Sequence, residues 1–278
     1  MMFTRYSLAR DLTALGVRVG GVLLVHASMR SIGRVLGGAS AVVGALCDAL
    51  GAGGTLVVLT ATEGNSDTSR AYLRKVAGMT DAETADYRAS MPAFDPLTSP
   101  SSGMGKVAEC VRTTAGAVRS AHPQSSFAAV GPLAAALMDG HAPECHLGEE
   151  SPLARLCEVE ASVLLIGVGY DQCTAFHLGE YRYTERPPRR SYRCVRDFGQ
   201  GPQWWQYEDV VLDDGDFGEL GTAFETTEAV RLGRIGNAES RLFPIGGAVR
   251  FAAKWLAEHR DPKDSPPTQG HLTYASFP

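Results

Sequence analysis

Three unbroken apolar runs punctuate the chain: 22–25 (Val-Leu-Leu-Val), 56–59 (Leu-Val-Val-Leu) and 163–168 (Val-Leu-Leu-Ile-Gly-Val). Runs this short, rich in Val, Leu and Ile and flanked by glycine or polar residues, predict central strands covered on both faces. Between the first two, residues 40–50 carry apolar positions at helical spacing, with Ser40 a candidate N-cap and Gly51 a candidate stop. Strand, helix and strand at this spacing form a βαβ unit. The same periodicity predicts helices at 7–15, 104–113, 132–138, 152–158, 226–232 and 248–259. After residue 182 the pattern changes. Alternating stretches at 191–195 and 205–212, with Pro187-Pro188 and Trp204-Trp205 nearby, predict a β-rich antiparallel region over about 183–225. The long polar connection 62–101 has the length of a binding loop or lid. The expected fold is α/β: a single domain over 1–278 with a three-layer α/β/α core, a central sheet, the inserted antiparallel region, and a mobile Pro-, Ser- and Lys-containing tail from about 262 to 278.

Composition narrows the function classes. A chain of 278 residues, 44% apolar and 21% charged, can bury a substantial core. No apolar run is long enough to span a bilayer, and the N-terminal residues lack the apolar core of a signal peptide. Six scattered cysteines without a C-x-x-C pair suggest reduced thiols and a cytoplasmic location. A net charge of -5 with no basic block argues against nucleic acid as a partner. Acidic residues crowd 207–219, either as a solvated loop or as a wall that steers a polycation.

The stretch from Val163 to Arg182 concentrates the chemistry. The strand ends in Gly167-Val-Gly169 and is followed by His177 and Glu180. On a helix beginning after Thr174 these two share a face, an imidazole and a carboxylate suited to a general base and its orienting partner. The competing arrangement pairs Glu180 with Arg182 or Arg186 and leaves His177 as a helix cap. The Gly-rich turn from His26 to Ala39 permits close backbone approach, and the following helix start offers N–H groups to an anion; a plain βα turn fits equally. In this setting His26 reads as a hydrogen-bonded core histidine. Ser125, Ser126 and His122 offer donors to phosphates and Phe127 a packing surface, against a simple turn fixed by Pro123. His141 and His146 lie among acids but at no recognised zinc spacing.

Several blocks, in order, resemble one family. They are Leu23-Leu-Val-His-Ala-Ser-Met-Arg-Ser-Ile-Gly33 with Gly37-Gly38; Phe94-Asp-Pro with Thr98-Ser-Pro-Ser-Ser-Gly-Met-Gly105; Arg119-Ser-x-His-Pro-x-x-Ser-Phe-Ala-Ala-x-Gly131; Leu147-Gly-Glu-x-Ser-Pro-Leu-Ala154; and Ile166-Gly-Val-Gly-Tyr170 through Phe176-His-Leu-Gly-Glu-Tyr-Arg182. Gly233-x-Ile-Gly-Asn-Ala-Glu-Ser-Arg241 extends them. Together they resemble the aminoglycoside 3-N-acetyltransferases, over roughly residues 5 to 260. Ala27 and Gly179 stand where members often carry Ser and Ala.

The resemblance implies acetyl-CoA as donor, no metal, and a role in antibiotic resistance. It implies that Ser28, Met29, Arg30, Ser31, Ile32 and Gly33 line the pantetheine arm of coenzyme A. Ser126 and Phe127 would lie near its phosphates or adenine. His177 would be the catalytic base with Glu180 beside it. The acceptor would be the 3-amine of the 2-deoxystreptamine ring, attacking directly, with no acyl-enzyme on Cys173. For the polycationic acceptor, Glu63, Asp67, Asp171, Glu208, Asp209 and Asp213 are candidates by charge and loop position. Three alternatives remain: an N-acetyltransferase of the same fold acting on a non-antibiotic amine, a metal-dependent hydrolase using His141, His146, His177 and Glu180, and a coenzyme A-binding regulator.

Overall fold

The computed structural model describes residues 2–260, apart from the side chain of Glu63. The expected tail from 262 lies outside the described residues. Seven strands form one mixed sheet in the order Arg231–Ile235, Ala238–Pro244, Ser162–Ile166, Val22–Ala27, Thr55–Leu59, Phe127–Val130 and Val118–Arg119. The three runs read from the sequence are its parallel centre, with Leu24 opposite both Val163 and Val57. Almost every residue of these strands is buried, as continuous apolar runs require. Antiparallel strands extend the sheet on both sides.

Helices complete the expected three layers. Arg5–Leu15 packs on Gly38–Leu50, which packs on Gly105–Arg112. A second group joins Pro152–Glu158, Ala175–Arg182 and Ile245–His259. Ser151 caps Pro152–Glu158 through the Leu153 N–H, with proline in the first turn. The helix expected at 40–50 starts earlier, at Gly38, and stops at Gly51 as expected. Among the described residues no helix is long and apolar enough to cross a membrane.

Two segments differ from the sequence reading. The helix expected at 226–232 is absent; a helix occupies Phe217–Glu225 instead, and Arg231–Ile235 is an edge strand. Pairing decides this. Gly236-Asn237 turns the chain so that Ile235 faces Ala238, a two-residue hairpin whose first turn residue has φ 61°. The β-rich region is a separate hairpin of Arg189–Asp197 with Pro202–Val210, and it ends before the Phe217–Glu225 helix.

The 62–101 connection is folded, not open. It contains helices Arg70–Val76 and Asp81–Ala89. Tyr72 and Met91 pack with Val195 of the hairpin in a small second core.

Parallel strands bring their C-terminal ends to one edge of the sheet, the usual place for ligands in open α/β folds. Here Ala27 lies opposite Ile166, so the turns at Ser28 and Gly167 meet. The Ser28 N–H donates to the Ile166 carbonyl at 2.9 Å, and the Ser31 hydroxyl to the Gly167 carbonyl at 2.9 Å. Gly167 has φ 64°, and a Cβ there would stand 2.2 Å from the Ser31 Cβ. Only glycine fits here, with a positive φ and the Ser31 and Ala238 side chains against it.

Candidate active site

From the Gly167 turn the chain enters helix Ala175–Arg182, which carries His177 and Glu180 one turn apart. Both are buried, and His177 Nδ1 lies 2.6 Å from Glu180 Oε2. Neither arginine suggested by the local sequence holds Glu180. Arg182 pairs with Glu149, while Glu180 Oε1 accepts from the Arg260 guanidinium at 2.6 Å and the Asp213 N–H at 2.9 Å. The Phe217 ring lies 4.8 Å from the imidazole, centre to centre. This helix packs tightly on the long C-terminal helix: a Cβ at Gly179 would approach the Ala252 Cβ to 2.8 Å. Glycine, rather than the family's frequent alanine, is thus matched to Ala252.

His26, at the end of its strand, is fully enclosed and close enough to His177 for their charges to oppose. Burial first, and that opposition second, lower its pKa to about 4. Its Nε2 has no hydrogen-bond partner among the described residues. This differs from the hydrogen-bonded core histidine expected from the sequence. Cys173 is buried too, and burial pushes its thiol up to about 12. At neutral pH it is a protonated thiol, a poor nucleophile.

A cleft of about 510 Å³ opens beside this edge. Ser28, Met29, Arg30 and Gly33 line it from the first turn, with Gly105 and Lys106 opposite. Ser31 and Ile32 do not line it: Ser31 is tied to Gly167 and Ser28, and Ile32 is fully buried in the core. Gly38 and Gly105, which also border the cleft, begin helices Gly38–Leu50 and Gly105–Arg112. Two helix starts and two cations make the cleft fit a diphosphate, the anionic part of a coenzyme A molecule. The second helix itself matches the one expected at 104–113, but Lys106 and the cleft-facing start of that helix are not among the residues the sequence points to as coenzyme contacts.

Ser126 and Phe127 are placed elsewhere. Both are fully buried. The Ser126 hydroxyl donates to the Thr60 carbonyl at 2.9 Å and accepts from Arg119 at 3.0 Å. Arg119 spends its other donors on the Thr60 and Ser99 carbonyls and the Thr62 hydroxyl. The block therefore ties the loops at 60–62 and at Ser99 together.

The acidic candidates divide in the same way. Asp171 and Glu208 are exposed, and Asp213 is half-buried beside Glu180. Asp67 is buried and paired with Arg88 and Arg193. Asp209 is buried and accepts from the His146 N–H, the His146 ring and the Tyr181 hydroxyl at 2.6–2.9 Å. Burial opposes its charge, but these hydrogen bonds and the His146 charge hold it below the usual carboxylate range. The carboxylates of Asp67 and Asp209 are thus engaged with partners inside the protein. Glu63 lies in a single turn of helix whose start it forms, and its side chain is outside the described residues.

His141 and His146 are likewise occupied. The His141 nitrogens meet the Ser120 hydroxyl and the Cys145 carbonyl, both at 2.9 Å, and those of His146 meet Asp209 and Gln124. They gather with His122, not with His177. Among the described residues no three His, Cys, Asp or Glu side chains are arranged to hold a metal ion.

Burial lowers His141 to about 3 and His122 well below the ordinary 6.5. The unfolded chain therefore takes up protons below pH 6.5 that the folded chain refuses, and stability falls as the pH is lowered. At pH 4 the penalty is about 3 kcal/mol for His26 alone, from ~1.4 kcal/mol per pH unit. Urea midpoints measured from pH 7 to pH 4.5 are expected to fall steadily; a flat series would contradict the neutral, buried histidines.

A family model described as aminoglycoside 3-N-acetyltransferase matches residues 24–257. The chain belongs to the aminoglycoside 3-N-acetyltransferase family, a family of acyltransferases. It is 38% identical over 268 residues to aminoglycoside N(3)-acetyltransferase VIII of Streptomyces fradiae, covering 91% of each chain. It is 37% identical over 261 residues to the SPbeta prophage-derived aminoglycoside N(3')-acetyltransferase-like protein YokD of Bacillus subtilis, covering 91% of this chain and 92% of that one. Among solved structures it is similar to "AAC-IIIb binary with CoASH", with a TM-score of 0.80 and 32% identity, covering 93% and 97% of the two chains.

Proposed function

We propose that this chain transfers an acetyl group from acetyl-CoA to the 3-amine of the 2-deoxystreptamine ring of an aminoglycoside, with His177 as general base, and so confers antibiotic resistance. The observation that carries this reading is the buried His177–Glu180 contact of 2.6 Å beside a cleft that fits an anionic coenzyme. Family membership and the coenzyme-bound structural neighbour support the donor.

Ser28, Met29, Arg30 and Gly33, with Gly38, Gly105 and Lys106, would hold the coenzyme, the cations and helix starts taking its diphosphate. When bound, it supplies a thioester, an acetyl group already activated for attack. The acceptor amine arrives mostly as an ammonium ion, which has no lone pair to attack with. Glu180 accepts a hydrogen bond from the His177 Nδ1–H and so fixes the tautomer, leaving Nε2 to exchange the proton. One ammonium proton passes to solvent before attack. As the free amine nitrogen then bonds to the thioester carbonyl carbon, His177 takes a second proton from that nitrogen. The C–S bond breaks, and the sulfur leaves as thiolate, to be protonated by the imidazolium or solvent. Glu180, already held by Arg260 and Asp213, stabilises the imidazolium that forms. The Cys173 thiol, enclosed and protonated, takes no part. His26 lies in the same enclosed neighbourhood, and a bound substrate would supply the partner its Nε2 lacks. Asp213, next to Glu180, and the exposed Asp171 and Glu208 remain the acids available to a polycation.

Thiol release from acetyl-CoA tests the assignment. Aminoglycosides with a free 3-amine are expected to give turnover, and matched compounds blocked at that nitrogen none. Equal rates for both, or turnover only with unrelated amines, would transfer the protein to a different acceptor class.

A further inference from the structure

We propose that Arg260 is a positioning residue that sets the charge state of the His177–Glu180 pair. The inference rests on the reading of His177 as general base. It starts from the division of labour on one carboxylate. Glu180 Oε2 faces His177 Nδ1 at 2.6 Å, and Oε1 takes one arm of Arg260 at 2.6 Å. The rest of the guanidinium binds the Asp216 carboxylate, at 2.6 Å through Nε, and the Asp213 carbonyl at 2.6 Å. One planar fork thus fastens the site helix to the segment 213–216. The Phe217 ring completes the frame, 5.9 Å from the Arg260 guanidinium carbon and 4.8 Å from the imidazole centre.

Arg260 follows the last residue of helix Ile245–His259 and lies eighty residues from Glu180. The long helix that packs against the site helix therefore delivers the cation to it. A lysine retains the charge but not the fork, because its single ammonium lacks the fixed planar geometry that reaches both carboxylates and the carbonyl.

The charges around the imidazole come from several elements. His26 approaches from its strand, Glu180 from the site helix, and Asp213 and Asp216 from the segment before Phe217. The hairpin places Tyr192 within electrostatic reach of Glu180. Arg260 is the cation fastened to this group of carboxylates. Remove it, and a proton on either His177 or Glu180 meets less opposition. The coupled pair then takes up its proton at higher pH, and less of it is competent to accept one from the amine.

The test uses the full-length chain as Arg260→Gln and Arg260→Lys. Thiol release from acetyl-CoA with an accepted aminoglycoside is followed from pH 5.5 to 9.5. Arg260→Gln is expected to move the acid limb of kcat/KM upward by about one pH unit, with the KM for acetyl-CoA unchanged. Arg260→Lys is expected to keep the limb in place with a lower plateau. A purely structural role would lower the plateau of both variants and leave the limb where it is, and that result overturns the inference. If Arg260→Gln does not fold, an Arg260→Lys limb displaced as far as one unit would also overturn it. Full turnover by His177→Ala would instead remove the general-base reading beneath it.

Discussion

Replacing His177 with alanine is expected to lower kcat for acetyl transfer roughly a thousandfold, within the 10²–10⁴ range of a positioned acid–base group. The loss should fall on kcat because the coenzyme cleft is lined by Ser28, Met29, Arg30, Gly33 and the Lys106 segment, not by His177. Affinity for acetyl-CoA, measured by calorimetry, should therefore survive. The remaining rate should climb with pH up to the amine's own pKa, since solvent then supplies the free amine. A variant with near-normal kcat at pH 7 would take the general-base role from His177.

Glu180→Gln is expected to produce the second-largest effect, a loss of about a hundredfold or more in kcat, again with little change in coenzyme affinity. The amide is the same size, but its NH₂ can donate to Nδ1 and select the tautomer with the proton on Nε2. That tautomer cannot receive the amine proton. The neutral amide also no longer compensates an imidazolium, the two losses that follow when a triad acid is converted to its amide. A stability cost comes with it, because Arg260 loses one of its two carboxylates. Asp216 and the Asp213 carbonyl still hold the guanidinium. The cost should therefore lie below the roughly 3–5 kcal/mol of a buried pair broken outright. Denaturant midpoints and kinetics measured on the same preparation separate the two effects. A variant that is destabilised but keeps its kcat would make Glu180 a structural anchor only.

What the sequence made legible follows from locality. The three parallel strands were readable because burial on both faces leaves continuous apolar runs. His177 and Glu180 were readable as partners because three residues on a helix are adjacent in space. Arg260 was not, since no local pattern connects it with Glu180 eighty residues away. Strand Arg231–Ile235 was missed because its apolar positions suit a helix, and only pairing across Gly236-Asn237 decides the conformation. That turn was itself a hairpin signal in the sequence.

Charge was legible in the acidic segment, but direction was not. On strand Pro202–Val210 the parity of alternation sends Glu208 to solvent while Tyr207 and Asp209 turn inward. Asp67 gave no such warning, because its partners Arg88 and Arg193 come from a later helix and from the hairpin. Ser126 and Phe127 sit in a block shared with the family, yet their environment is the packed interior. A motif marks a position in the fold; whether its side chains face ligand or protein is set by tertiary contacts.

The most direct measurement is to locate the acetyl group. The purified protein is mixed with acetyl-CoA and an aminoglycoside bearing a free 3-amine. The product is mapped by NMR, free thiol is counted, and the protein's intact mass is recorded after rapid quench. Direct transfer under His177 predicts acetylation at N3, one thiol released per acetyl group, and a protein mass unchanged at every time point. Acetylation at another nitrogen, or an acetyl-protein that forms and decays as fast as turnover, would contradict it.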